Sequence, residues 1–206
     1  MNPEIKIVLF DFDGVFRLFF TLHLWLYLKT AYRLGIWKSF KKIPLISYLL
    51  IQELFAHTAL PLPGKKDLIP GAIEIIPHLK SRGYIVGMVT NRRLKILKWH
   101  AQRLGLNLDL LDAIVTQEQF KKPDPRVFEP IFKKWRNISP NQILLVGDSY
   151  EADFMAAQAA GVKIRMITSS YMKRDDLLKL GVPKEKIIDS VTELDSLLFE
   201  PVLLKM

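Results

Sequence analysis

Two aspartates two residues apart, Asp11 and Asp13 in DFDGV (Asp11 to Val15), directly follow an apolar run, IKIVLF (Ile5 to Phe10). A carboxylate at the end of a buried strand can attack phosphorus and form an aspartyl-phosphate, which divides one difficult displacement into two easier ones. Asp11 fits that role. On an extended segment residue i+2 points to the same side as residue i, so Asp13 can stand beside the same phosphate, protonate the leaving oxygen and later activate the hydrolytic water. Gly14 then permits a close backbone approach or an unusual dihedral. Two carboxylates facing a phosphate would repel it, which calls for a bound cation, and an oxygen-rich site with few protein ligands suits Mg2+ better than zinc.

In an open parallel sheet ligands gather at the carboxyl ends of the strands, so the residues just beyond each apolar run are the informative ones. Thr90 and Asn91 follow YIVGMV, Lys122 lies in KKPDPRVF (Lys121 to Phe128), and GDSYEAD (Gly147 to Asp153) closes ILLVG. Asp148 would complete the cation site. Lys122 can add a point charge, and Thr90 with the N–H groups around it can supply hydrogen bonds to phosphoryl oxygens. Asn91 and Arg92 stand where they can touch substrate, although Arg92 and Arg93 equally suit a solvated first helical turn. Asp153 equally suits a helix cap. Ser149 is a turn residue, since GDSYE is not a nucleophile elbow. His23, His57, His78 and His100 show no ligand spacing, and the chain has neither GxxxxGK[ST] nor GxGxxG, so nucleotide-triphosphate hydrolysis and hydride transfer have no support.

The elements that must position these residues alternate. Apolar strand-like runs at Ile5–Phe10, Tyr84–Val89, Ala113–Thr116, Ile143–Gly147 and Lys163–Thr168 are separated by helical patterns at about 71–82, 92–104, from Pro125, 150–160 and 174–180. Continuous apolar strands need cover on both faces, so the expected fold is α/β, a Rossmann-like three-layer core with a parallel sheet. Pro77 predicts a kink in the first of these helices, and Gly105 suits the left-handed position that ends the second.

Residues 17–66 are compositionally distinct. They carry eight Lys and Arg against one acid, Glu53, and so hold most of the chain's net charge of +9 while being rich in Leu, Phe, Trp and Tyr. They read as a small α-helical cap, a hairpin of helices over 18–34 and 45–58, inserted after the first strand. The expected domains are a core of residues 1–16 and 67–206 and a cap of residues 17–66. Most of the cap's apolar side chains should pack between its helices. Neither helix has the roughly 20 uninterrupted apolar residues that span a bilayer, but a basic helix with Trp25, Tyr27 and Trp37 is suited to peripheral contact with an anionic membrane. No cysteine and no cleavable leader pattern make a cytoplasmic location the default.

The ordered set DFDGV, TN, KKPDP and GDSYEAD resembles the four motifs of the haloacid-dehalogenase-like hydrolase superfamily and spans almost the whole core. The resemblance implies Asp11 as nucleophile and metal ligand, Asp13 as acid/base with its carbonyl on the metal, and Thr90 as phosphate binder. It also implies Lys122 stabilising nucleophile and phosphate, Asp148 binding Mg2+, and Asp153 supporting the metal's water shell. Dehalogenase members lack the second Asp of the first motif, so Asp13 favours phosphoryl chemistry. The expected activity is Mg2+-dependent hydrolysis of a small-molecule phosphate monoester, with no nucleic-acid partner. The alternatives are a phosphotransferase or phosphomutase of the same superfamily, or a non-catalytic module whose basic, apolar cap binds lipid, RNA or protein.

Overall fold

The computed structural model describes residues 4–16, 68–169 and 172–198, all of which belong to one compact unit formed by Met1–Phe19 and Lys65–Met206. The expected two-helix cap over residues 17–66 lies outside the described residues.

Six parallel strands form one sheet: β1 (Ile7–Phe10), β2 (Ile85–Val89), β3 (Ala113–Val115), β4 (Ile143–Gly147), β5 (Lys163–Ile167) and β6 (Ile187–Ile188), in the order β3-β2-β1-β4-β5-β6. The helices between them are α1 (Ile75–Ser81), α2 (Leu94–Leu104), α3 (Glu129–Lys134), α4 (Met155–Ala160), α5 (Arg174–Lys179) and α6 (Glu193–Leu198).

Because side chains alternate along a strand, each strand feeds two cores. Val8 and Phe10 of β1 pack with Val86, Met88, Leu144 and Val146 against α1, α2 and α6, through Ile76, Leu79, Leu97, Leu104 and Leu194. Ile7 and Leu9 pack with Leu145, Ile164 and Met166 on the other face, against Ile131 of α3, Ala156 and Ala157 of α4 and Leu177 of α5. This is the three-layer α/β core expected from continuous apolar strands.

The differences from the sequence expectation have local causes. Helix α1 starts at Ile75, not near Gly71, so Pro77 falls in its first turn, where a missing N–H removes no bond within the helix and no kink is needed. Gly105 does end α2 in the left-handed conformation, at φ 78°. The segment after β4 opens as a π-helical turn, Tyr150–Phe154, before continuing as α4. Within that turn the N–H groups of both Asp153 and Phe154 donate to the Ser149 carbonyl. Strand β6 and helix α6 were not anticipated, because two isoleucines are too short a run to register as a strand. Among the described residues no helix is long and apolar enough to cross a membrane.

Candidate active site

The strand order turns back at β1, whose neighbours are β2 on one side and β4 on the other. At such a switch point the chains leaving adjacent strands diverge and open a crevice beyond their carboxyl ends. Phe10 of β1 is in register with Val146 of β4, and Asp11 N–H donates to the Val146 carbonyl at 2.8 Å. The ladder thus carries Asp11 to the edge of the crevice, opposite the segment that bears Asp148.

Lys122 is the centre of the cluster. It is only 2 % exposed, and its Nζ lies 2.9 Å from Asp11 Oδ1 and 2.5 Å from Asp153 Oδ1. Burial alone would lower the proton affinity of its amine, but the charges of Asp11 and Asp153 outweigh it, so the pKa is raised and Lys122 is an ammonium ion. Asp153 has no exposed surface. One of its oxygens accepts from Lys122 and the other from Ser149 N–H at 3.0 Å, while the capping residue of the following turn is Ser149, whose hydroxyl accepts from Ala152 N–H.

Asp11, Asp148 and Asp153 each offer a carboxylate oxygen, and these oxygens all lie within 4.8 Å of one another. Burial pushes the Asp11 carboxyl up to about 7, with Lys122 pulling it down and Asp153 and Asp13 pushing it further up. Burial likewise raises Asp148 to about 7, against a hydrogen bond with Ser169 and with the help of Asp153 and Asp13. A buried, oxygen-only cluster whose negative charge is too costly to hold unaided is chemically suited to a hard divalent cation, and these three residues are the ones that would hold it.

Two glycines make room for this crowding. A Cβ on Gly14, which has φ +75°, would lie 2.1 Å from Asp148 Cγ, and one on Gly147 would lie 2.3 Å from Asp153 Cγ. Gly14→Ala is therefore expected to displace the Asp148 carboxylate and to weaken Mg2+ binding by about 10-fold or more. Calorimetric titration of the purified variant with MgCl2 would check it, and wild-type affinity would contradict this account of Gly14.

Asp13 is held from β2. Arg92 Nε donates to Asp13 Oδ2 at 2.6 Å and Arg92 Nη2 to Oδ1 at 3.0 Å, a two-pronged pair across 79 residues of sequence. The charge of Asp13 raises the Arg92 pKa further, with burial opposing. The solvated first helical turn expected for Arg92 and Arg93 describes neither: Arg92 is half-buried, and Arg93, though exposed, is the extended N-cap residue before Leu94. Sequence reasoning placed Arg92 near the site but had no signal for its partner. Thr90 is buried at the end of β2, its hydroxyl accepting from Arg92 N–H at 3.2 Å. Asn91, expected at the substrate, has both ends of its amide on the Lys122 backbone: Nδ2 donates to the Lys122 carbonyl at 3.0 Å and Oδ1 accepts from Lys122 N–H at 2.8 Å.

The family model for haloacid dehalogenase-like hydrolases matches residues 38–167, a span that contains Thr90, Lys122, Asp148 and Asp153. The chain is 28 % identical over 134 residues to a glyceraldehyde 3-phosphate phosphatase of Methanothermobacter thermautotrophicus, covering 63 % of this chain and 58 % of that protein. It is 35 % identical over 107 residues to a phosphoglycolate phosphatase of Cereibacter sphaeroides, covering 51 % and 47 %. The chain thus spans about half the length of the curated relatives it matches. Among solved structures, a haloacid dehalogenase-like family hydrolase from Streptococcus pneumoniae superposes with a TM-score of 0.67 at 20 % identity, over 94 % of this chain and 98 % of that one. That likeness concerns the fold. Because the family model covers well over half of the sequence, the chain belongs to the haloacid dehalogenase-like hydrolase family.

Proposed function

We propose that this chain is a Mg2+-dependent phosphatase that hydrolyses a small-molecule phosphate monoester through an aspartyl-phosphate on Asp11. The observation that carries the reading is the meeting of Asp11, Lys122, Asp148 and Asp153 at the β1/β4 switch point, with Lys122 Nζ 2.9 Å from the carboxylate that would attack. In the first half-reaction an Asp11 oxygen bonds to phosphorus while the ester oxygen leaves with a proton from Asp13. In the second, Asp13 takes a proton from water, which attacks the aspartyl-phosphate, releases inorganic phosphate and restores Asp11. Thr90 and the Lys122 ammonium hold the phosphoryl oxygens, and Arg92 holds Asp13. Mg2+, when bound, neutralises phosphoryl oxygens and orients them for in-line attack. Asp11, Asp148 and Asp153 would hold it, with the Asp13 carbonyl as the family resemblance implies.

The names of the relatives, phosphatases of phosphoglycolate and of glyceraldehyde 3-phosphate, support a small phosphorylated metabolite as the substrate class. The test is release of inorganic phosphate from p-nitrophenyl phosphate and from a panel of small phosphate esters, with Mg2+ and with excess EDTA. Release that requires Mg2+ is the expected result. An isomerised phosphosugar with little free phosphate would assign the chain to the phosphomutases instead, and no turnover of any ester would sink the reading.

A further inference from the structure

Lys122 must keep its ammonium group within contact of two carboxylates, yet it belongs to no strand or helix. It lies in the segment between β3 and the single 3-10 turn Pro125–Phe128. Its neighbour Pro123 has no N–H to anchor the chain. Both backbone polar groups of Lys122 are instead taken by one side chain, that of Asn91 at the end of β2, 31 residues away: the carbonyl at 3.0 Å and the N–H at 2.8 Å. A primary amide facing a peptide in this way reproduces the two-bond pairing of adjacent strands, so it fixes both the position and the rotation of the Lys122 backbone. Asn91 follows Thr90, whose N–H is itself tied to the Val115 carbonyl of β3 at 2.9 Å. The clamp therefore stands on the sheet and not on a loop.

We infer that Asn91 is a positioning residue: it acts on the reaction through Lys122, by setting where the Nζ stands, and not by touching substrate. This rests on the phosphohydrolase reading, in which Lys122 faces the nucleophile and the phosphate. One N–H and one oxygen lone pair of the Asn91 amide are directed at the Lys122 peptide groups, which fixes the plane of the amide on that backbone. Losing it would leave two buried peptide groups without partners and let the lysine drift. A misplacement of about 1 Å at a reacting centre can cost about 100-fold in rate.

The test is a double-mutant cycle on phosphate release from p-nitrophenyl phosphate with saturating Mg2+, using wild type, Asn91→Ala, Lys122→Met and the double variant, with thermal melts showing that each is folded. Asn91→Ala is expected to lower kcat about 10- to 100-fold, and in the Lys122→Met background its further effect should be less than about 2-fold, since the group it positions is gone. Two losses that multiply would overturn the inference, because Asn91 would then act on substrate independently of Lys122. Should Lys122→Met not fold, a crystal structure of Asn91→Ala decides. Nζ moved away from Asp11 together with a reduced kcat supports the inference. Nζ unmoved with a reduced kcat, or an unchanged kcat, overturns it. An inactive wild-type protein would remove the phosphohydrolase reading itself, an outcome distinct from an active enzyme whose cycle is additive.

Discussion

Asp11→Asn is expected to reduce Mg2+-dependent phosphate release by about four orders of magnitude or more, the scale seen when a covalent nucleophile is removed. The amide oxygen is a poor nucleophile, so the variant should not form the proposed phospho-enzyme. Retention of wild-type release from p-nitrophenyl phosphate would show that Asp11 is not the nucleophile. The same substitution should make the metal-free protein more stable. The folded-state pKa of Asp11 is raised by burial from 3.8 to about 7, so the native state binds this proton more tightly than the unfolded chain. Stability then falls as pH rises between those two values, and the full penalty is present above about 7. Asp148, raised in the same way, adds to it. In EDTA at pH 8 the Asn variant should melt several degrees above wild type, with the gap closing as pH falls towards 4. Scanning calorimetry across that range checks the sign. Under the proposed mechanism such a site trades stability for chemistry, because the ionised carboxylate that would attack phosphorus is the form that burial disfavours.

The second large effect is on the fold. Lys122→Met removes the ammonium that contacts both Asp11 and Asp153 while leaving both carboxylates buried. Breaking a buried ion pair from one side costs about 3–5 kcal/mol, which for a chain of this size lowers Tm by roughly 10 °C. The loss depends on pH. Without the ammonium, which lowers the Asp11 pKa, the Asp11 carboxyl gains proton affinity, so the penalty should be largest at alkaline pH and shrink as acidification neutralises it. Thermal melts of both proteins at pH 5 and pH 8 would check it, and a shift of under about 2 °C at pH 8 would show that Lys122 is not holding the cluster together. Unlike Asp11, this residue stabilises the fold and serves the proposed chemistry at once, because the same two contacts do both.

Much of the core was legible from the chain itself, for a definite reason. Strands buried on both faces must be continuous apolar runs, so each polar residue at the end of such a run, Asp11, Thr90 or Asp148, announces a strand's carboxyl end. Gly105 was readable because a helix ending needs a left-handed residue there. The kink expected at Pro77 does not arise because a proline's effect depends on its place in the helix, and turns over residues 70–74 put the helix start at Ile75. The two isoleucines of β6 form a strand only because β5 offers them a partner, Met166 to Ile187 and Ile167 to Ile188.

For Asp11 and Asp13, residue type and two-residue spacing determined the candidate chemistry, and the apolar strand before them determined where in an α/β fold it must lie. Only the tertiary structure decided what each carboxylate faces. Lys122 reaches Asp11 across 111 positions of sequence, and Arg92 reaches Asp13 across 79. Such pairings depend on strand order and register, which no local pattern encodes. Nor could the sequence assign Asn91, whose amide suits a phosphate as well as a peptide until the fold brings the Lys122 backbone to it.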